Sequence, residues 1–178
     1  MSLAISFDGF IEGPNGEIDW LEFNEETADS LNKFLEGIDT VLYGRTSYEA
    51  WGTYQPAPGS ADFEKTFYAK LHAMKKYVFS ATQSHFAGDP VVIGSGIKEA
   101  MEELKKQPGK DIWLYGGSSL ITTFMNLDLV DEYQIAVAPV ILGAGKPLFK
   151  DIDHRVQLQL VKTETSASGT VLFVYERR

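Results

Sequence analysis

DIWLYGGSSLITTFMN, residues Asp111 to Asn126, is the stretch from which the architecture of this chain is read. Ile112, Trp113, Leu114 and Tyr115 form a short apolar run, the pattern of a buried strand. Gly116 and Gly117 lack a Cβ and so permit a tight turn and close backbone approach. Ser118 and Ser119 suit the start of the next segment, where Leu120, Ile121, Phe124 and Leu127 recur at helical spacing. A strand, two glycines and a helix start leave several backbone N–H groups free to meet an anion such as phosphate. Alone, the same pattern also fits a plain strand-to-helix connection, and the rest of the chain has to weigh the two.

Working outward, the same rhythm recurs. Met1 to Phe7 reads as a first strand, followed by a turn-rich loop, Asp8 to Gly16, that carries an acid and large apolar residues. Asn24 to Glu36 is an amphipathic helix: Asn24 caps it, Glu25 and Glu26 fill its first turn, and Gly37 ends it. Asp39 to Tyr43 is a second buried strand running into Gly44-Arg45-Thr46-Ser47, where Thr46 or Ser47 can cap another helix. Arg45 there is either a solvated charge or an anion contact. Ala61 to Ala73 is helical, Lys76 to Ser80 is a strand, and Val91 to Ile93 is a short strand followed by Gly94-Ser95-Gly96 and a helix. Glu99 occupies the last position of what would be a G-x-G-x-x-G fingerprint, so that signal is weak. Tyr133 to Ala138 alternates as a strand, and Pro139 to Phe149 reads as a loop. Val156 to Lys162 and Thr170 to Tyr175 form a hairpin turning at Ser166 to Gly169. Strand and helix alternate until the chain closes on consecutive strands. The expectation is one α/β domain over 1–178: a mostly parallel central sheet, helices on both faces, and antiparallel C-terminal strands.

Composition narrows the function classes. The 178 residues carry a net charge of −9 with no basic block, which argues against nucleic acid or an anionic membrane as partner. With no cysteine, disulfides and thiolate metal sites are excluded. His72, His85 and His154 lack metal-ligand spacing, so no metal is expected. There is no H-x-E paired with C-x-x-C, as a zinc deaminase needs, and no G-x-S-x-G elbow. No apolar run approaches a membrane span and no leader-like segment precedes the first strand; the expected location is cytoplasmic.

In open α/β sheets ligands collect beyond the carboxyl ends of the parallel strands. Here those ends carry Gly44-Arg45-Thr46, Ser80-Ala81-Thr82, Gly94-Ser95-Gly96 and Gly116-Gly117-Ser118-Ser119, all of them small or polar. A helix N-terminus contributes about 0.3–1 kcal/mol to an exposed anion. A charge-assisted hydrogen bond adds about 1.5–3 kcal/mol, so Arg45 outweighs either helix end. Four such ends in a row read as a nucleotide groove.

The order of motifs resembles the dihydrofolate reductase-like superfamily, nearest its riboflavin-biosynthesis reductase branch, the C-terminal domain of bacterial bifunctional deaminase/reductases and stand-alone relatives. The resemblance is carried by Ser6 to Ile11, Asp39 to Glu49, Ile112 to Gly117, Leu129 to Glu132 and Pro139 to Phe149. It implies the three-layer fold of that superfamily and an NADPH-dependent reductase, commonly a homodimer. Gly44, Arg45 and Thr46 would then meet the cofactor phosphates, and Ser80 and Thr82 would lie near the adenosine 2′-phosphate. Gly116, Gly117, Ser118 and Ser119 would hold the pyrophosphate, and Ile11 would border the nicotinamide. Asp8 matches an acidic position of the substrate site and is the candidate catalytic residue, or else a loop cap. Trp20 resembles the tryptophan after the first loop, at the substrate.

One departure concerns the first-helix carboxylate of dihydrofolate reductases, which falls near Ala28 or Asp29. The riboflavin branch, which passes hydride to the sugar-derived carbon of a ribosylamino-pyrimidine, does not require it. The leading expectation is hydride transfer to a ribosylamino-pyrimidine or pterin-like heterocycle. The alternatives are a pteridine reductase and a non-catalytic nucleotide-binding protein on the same scaffold. The C-terminal strands would leave an edge suited to dimerisation.

Overall fold

The computed structural model describes residues 1–178. The chain is an α/β protein of ten strands and five α-helices, grouped in two compact bodies: Met1–Glu22 with Ser118–Arg178, and Phe23–Gly117.

In the body formed by Phe23–Gly117, four parallel strands build one sheet. They are β3 (Ile38–Gly44), β4 (Lys75–Phe79), β5 (Val91–Ile93) and β6 (Asp111–Gly116), in the order β5-β4-β3-β6. β3 reads as a near-continuous apolar run because both its faces are covered; Val41, Leu42 and Tyr43 are fully buried. Helix α1 (Glu25–Glu36) starts where Asn24 accepts the Thr27 N–H at 3.0 Å and ends at Gly37, whose N–H returns to Phe34. It packs on α3 (Asp62–Ala73). α4 (Ile97–Lys105) begins after Gly96, which sits at φ +64°, where glycine carries no Cβ penalty. From β3 the chain steps outward to β4 and β5, then returns through α4 to the other side of β3. The right-handed crossover rule therefore places α3 and α4 on opposite faces.

The core of this body is aromatic. Leu35, Val41, Tyr43, Tyr48, Phe67, Leu71, Val78 and Trp113 form one buried cluster, each worth about 1.5–3 kcal/mol on full burial. Tyr43 meets Tyr115 and Tyr48 at ring-centroid distances of 4.8 and 5.5 Å. Its hydroxyl is buried with no hydrogen-bond partner. Between β3 and α3, the short helix α2 (Arg45–Ser47) continues into a π-helical turn, Tyr48–Gly52. Gly52 is required there, since a Cβ would run into the Tyr48 ring.

The other body has a mixed sheet in the order β1-β7-β10-β9, from β1 (Ser2–Ser6), β7 (Glu132–Ala138), β9 (Leu158–Thr165) and β10 (Val171–Arg177). β1 and β7 are parallel, while β10 is antiparallel to both β7 and β9. The expected closing hairpin is present, turning at Gly169 with φ +87°. Helix α5 (Ser118–Asn126) buries Leu120, Ile121, Phe124 and Met125. Two further strands lie inside stretches read above as loops: β2 (Phe10–Glu12) and β8 (Lys146–Pro147), paired antiparallel. Glu12 and Lys146 close the pair with a 3.0 Å ion pair.

Candidate functional site

The four parallel strands of the Phe23–Gly117 body end flush. Tyr43 is in register with Gly116, Gly44 with Phe79, and Phe79 with Ile93. The Ser80 N–H continues the ladder to the Ile93 carbonyl at 3.1 Å. Strand order reverses at β3 and β6, so the crevice between their carboxyl ends is the topological switch point where α/β sheets bind ligands. The residues leaving that crevice are Gly44-Arg45-Thr46 on one side and Gly116-Gly117 on the other. The two backbones approach closely: a Cβ built on Gly117 would lie 3.1 Å from the Ser47 Oγ. The Gly116–Gly117 peptide is cis.

Of the residues expected to line a nucleotide groove, the fold brings Gly44, Arg45, Thr46, Ser80, Thr82, Gly116 and Gly117 to this one edge. Arg45, Thr46 and Thr82 are exposed there. The Ser80 Oγ accepts the Gln83 N–H at 3.0 Å and so shapes the turn that carries Thr82. Two details differ from the sequence reading. The residue capping α2 is Gly44, which has no side chain to offer; Thr46 and Ser47 lie inside the helix. Likewise α5 begins at Ser118 itself, so Ser118 and Ser119 form its first turn rather than its cap. A helix starting at the residue after a glycine leaves its first N–H groups without a side-chain acceptor, which keeps them available to a ligand.

Arg45 is not a bare charge. Its Nη1 lies 3.1 Å from Oε2 and 3.3 Å from Oε1 of Glu49, one helical turn on. Glu49 also lines a hollow of ≈ 360 Å³ with Tyr48, Gln83, His85 and Phe86 among its walls. Sequence reasoning passed over Glu49, although an acid four residues after an arginine is a readable i,i+4 signal.

Helix phase separates the two candidate positions on α1. Ala28 is fully buried, whereas Asp29 is exposed, so no carboxylate occupies the inner face at that position. One turn further, Asn32 has a buried Oδ1 with no partner.

Asp8, Ile11 and Trp20 belong to the other body. Asp8 follows β1, and its carboxylate accepts three hydrogen bonds: from the Ser6 hydroxyl at 2.7 Å, the Gly143 N–H at 2.7 Å and the Leu142 N–H at 3.1 Å. These donors, Ser6 foremost, hold its pKa below the ordinary 3.8. Ser6, fully buried, also accepts the Phe10 N–H at 2.9 Å, so its hydroxyl ties the end of β1 to the loop that follows, and Asp8 carries the tie on to Leu142 and Gly143. Gly145 makes the matching approach, since a Cβ there would run into the Glu12 carbonyl oxygen. Asp8 thus anchors the Pro139–Phe149 segment as an anion. That geometry suits a group that positions a loop, and a proton donor would need the opposite shift in pKa. Ile11 sits in the middle of β2, half-buried, and Trp20 donates its indole N–H to the Glu17 carbonyl at 3.2 Å.

Comparison with known proteins gives the family and the fold. The family model described as the RibD C-terminal domain matches residues 1–172. The Bacillus subtilis (strain 168) protein YyaP is 50% identical over 175 residues, covering 98% of this chain and 92% of its own. A Shewanella sp. PV-4 protein assigned to riboflavin biosynthesis superposes with a TM-score of 0.78 at 21% identity, covering 99% and 96% of the two chains. The Thermotoga maritima diaminohydroxyphosphoribosylaminopyrimidine deaminase/5-amino-6-(5-phosphoribosylamino)uracil reductase gives a TM-score of 0.70 at 15% identity, with 99% of this chain matched to 55% of that one. Dihydrofolate reductase from Enterococcus faecalis, solved with NADP(H), gives 0.66 at 18%, covering 99% and 94%. The fold is therefore dihydrofolate reductase-like. With a match across nearly its whole length, the chain belongs to the RibD C-terminal domain family.

Proposed function

We propose that this protein is an NADPH-dependent reductase of the riboflavin-biosynthesis type, working as a single domain over 1–178. It passes hydride to the sugar-derived carbon of a ribosylamino-pyrimidine or to a pterin-like heterocycle. The observation that carries this reading is the flush row of strand ends, with its switch point flanked by Arg45 and by the close approach of Gly117 to Ser47. The residues fit a dinucleotide: Arg45 for a phosphate, side-chain-free backbone at Gly44, Gly116 and Gly117, and Ser80 and Thr82 beside them. The cofactor supplies the hydride. The chain supplies binding, orientation and exclusion of water.

The choice of substrate follows from the first helix. The inner face carries Ala28 where a pterin reductase would use a carboxylate, which favours the ribosylamino-pyrimidine. The unpaired Asn32 Oδ1 is an acceptor suited to a heterocycle N–H. Asp8 acts by positioning its loop, and the proton comes from solvent. Quenching of NADPH fluorescence, followed by NADPH consumption with ribosylamino-pyrimidines and with pterins, tests the proposal. Absence of cofactor binding at millimolar concentration would sink it. Binding without turnover on any of these substrates would favour the non-catalytic reading instead, which the commitment of Asp8 to three hydrogen bonds supports.

We also propose a homodimer joined through β9. That strand is the edge of its sheet and is exposed along nearly its whole length. Its register with β10 slips at Val161, so Leu160 and Val161, each about half exposed, are not held to strict alternation.

A further inference from the structure

The inference here rests on the nucleotide reading above. Among the residues read above at the four strand ends, Arg45 is the one cationic side chain. Its guanidinium is engaged on one nitrogen by both oxygens of Glu49. In nucleotide-binding α/β sheets an arginine accommodates a ribose 2′-phosphate, whereas an acidic side chain accepts a hydrogen bond from an unphosphorylated ribose 2′-hydroxyl. Gly44 is in register with Phe79, so Arg45 leaves β3 beside the Ser80–Thr82 segment read above as facing the 2′-phosphate, and Glu49, one helical turn on, is tied to that guanidinium.

We propose that Glu49 sets the choice between phosphorylated and unphosphorylated nicotinamide cofactors, and that it does so through Arg45. A 2′-phosphate has to take the guanidinium from Glu49 and then lie beside that carboxylate, a like charge. A 2′-hydroxyl meets no such repulsion and can donate to the carboxylate. Glu49 therefore narrows the advantage of NADPH over NADH, so NADPH stays preferred while NADH binds as well. The penalty on NADPH is small, because the two side chains are 46% and 41% exposed and solvent screens them. The hollow beside Glu49, open to water between Tyr48, Gln83 and His85, lets the carboxylate rehydrate once the guanidinium leaves.

The test titrates NADPH and NADH, read by nicotinamide fluorescence, into the wild type, Glu49→Gln, Arg45→Gln and the double variant. The wild type binds both nucleotides. Glu49→Gln raises the ratio of NADPH to NADH affinity about two- to fivefold, as removal of one exposed ionic partner should. With Arg45 already replaced, Glu49→Gln produces no such rise, the non-additivity that marks action through the arginine. An unchanged ratio in Glu49→Gln, or the same rise without Arg45, overturns this inference and leaves the reductase reading standing. Failure of the wild type to bind either nucleotide overturns both.

Discussion

The backbone at Gly117 stands so close to Ser47 that a single added methyl would sit 3.1 Å from the serine Oγ. A Cβ at that distance crowds its neighbour, and the residue belongs to the strand end proposed to meet the cofactor. Gly117→Ala is expected to cost about 1–3 kcal/mol of stability, the usual range for overpacking. It should also weaken NADPH binding at least tenfold. Ser47→Ala in the same chain removes the crowding atom and should return most of the stability. Chemical denaturation and fluorescence titration of the single and double variants read both effects.

Asp8 offers a pH test. Its carboxyl is held below 3.8 by the Ser6 hydroxyl and by the Gly143 and Leu142 N–H groups. A depressed folded-state pKa means that the stabilisation is present above pH 3.8 and is lost as pH falls through the lower folded value. Asp8→Asn should melt below the wild type at pH 6, and the gap should close below pH 4. Reduction by Asp8→Asn should slow through misplacement of the Pro139–Phe149 loop while its pH–rate profile stays unchanged. A profile that loses an acidic limb would instead make Asp8 the proton donor.

Leu160→Lys puts a charge on the exposed edge of β9, a device that natural sheets use to block strand pairing. Light scattering should give the wild type about twice the 19.8 kDa chain mass and the variant a single chain mass. A wild-type monomer would contradict the proposed dimer.

At Gly145 the φ of +159° and the approach to the Glu12 carbonyl and the Phe10 ring leave no room for a side chain. Gly145→Ala is expected to destabilise by about 2 kcal/mol or more, as substitutions that force strain on a packed backbone do. A urea midpoint indistinguishable from wild type would refute the close packing of β2, β8 and the loop between Pro139 and Phe149.

Much of the fold was legible because local pattern and tertiary outcome agreed. β3 and β6 are apolar runs ending in glycine, and α1 has its Asn24 cap, acidic first turn and Gly37 stop, so their boundaries moved by no more than a residue or so. β2 and β8 escaped notice because three and two residues carry no periodicity. Their pairing is imposed from afar, by Asp8 and by the clearance at Gly145. The strand-end row was readable from small and polar residues, but its flushness is a matter of register, which pattern does not encode. Helix phase decided between Ala28 and Asp29. A shift of one position turns a side chain through about a quarter of the helix circumference, finer than the apolar spacing of α1 could resolve. Glu49 was visible as part of a motif, yet its role depends on where the Arg45 guanidinium points.

The aromatic core has an optical consequence. Tyr43 and Tyr115 are pushed well above the ordinary phenol pKa of 10 by burial, and Tyr68 to about 12, their neighbouring hydroxyls adding to the effect. In an alkaline titration these three should stay colourless in the phenolate band after ordinary phenols have ionised. Their raised folded-state values mean that the stability they contribute is whole below pH 10 and drains away as pH climbs toward those values. The missing absorbance should then arrive in one cooperative step, coincident with loss of the Phe23–Gly117 body. The protein thus carries a built-in spectroscopic report on the integrity of the body that bears its strand-end crevice.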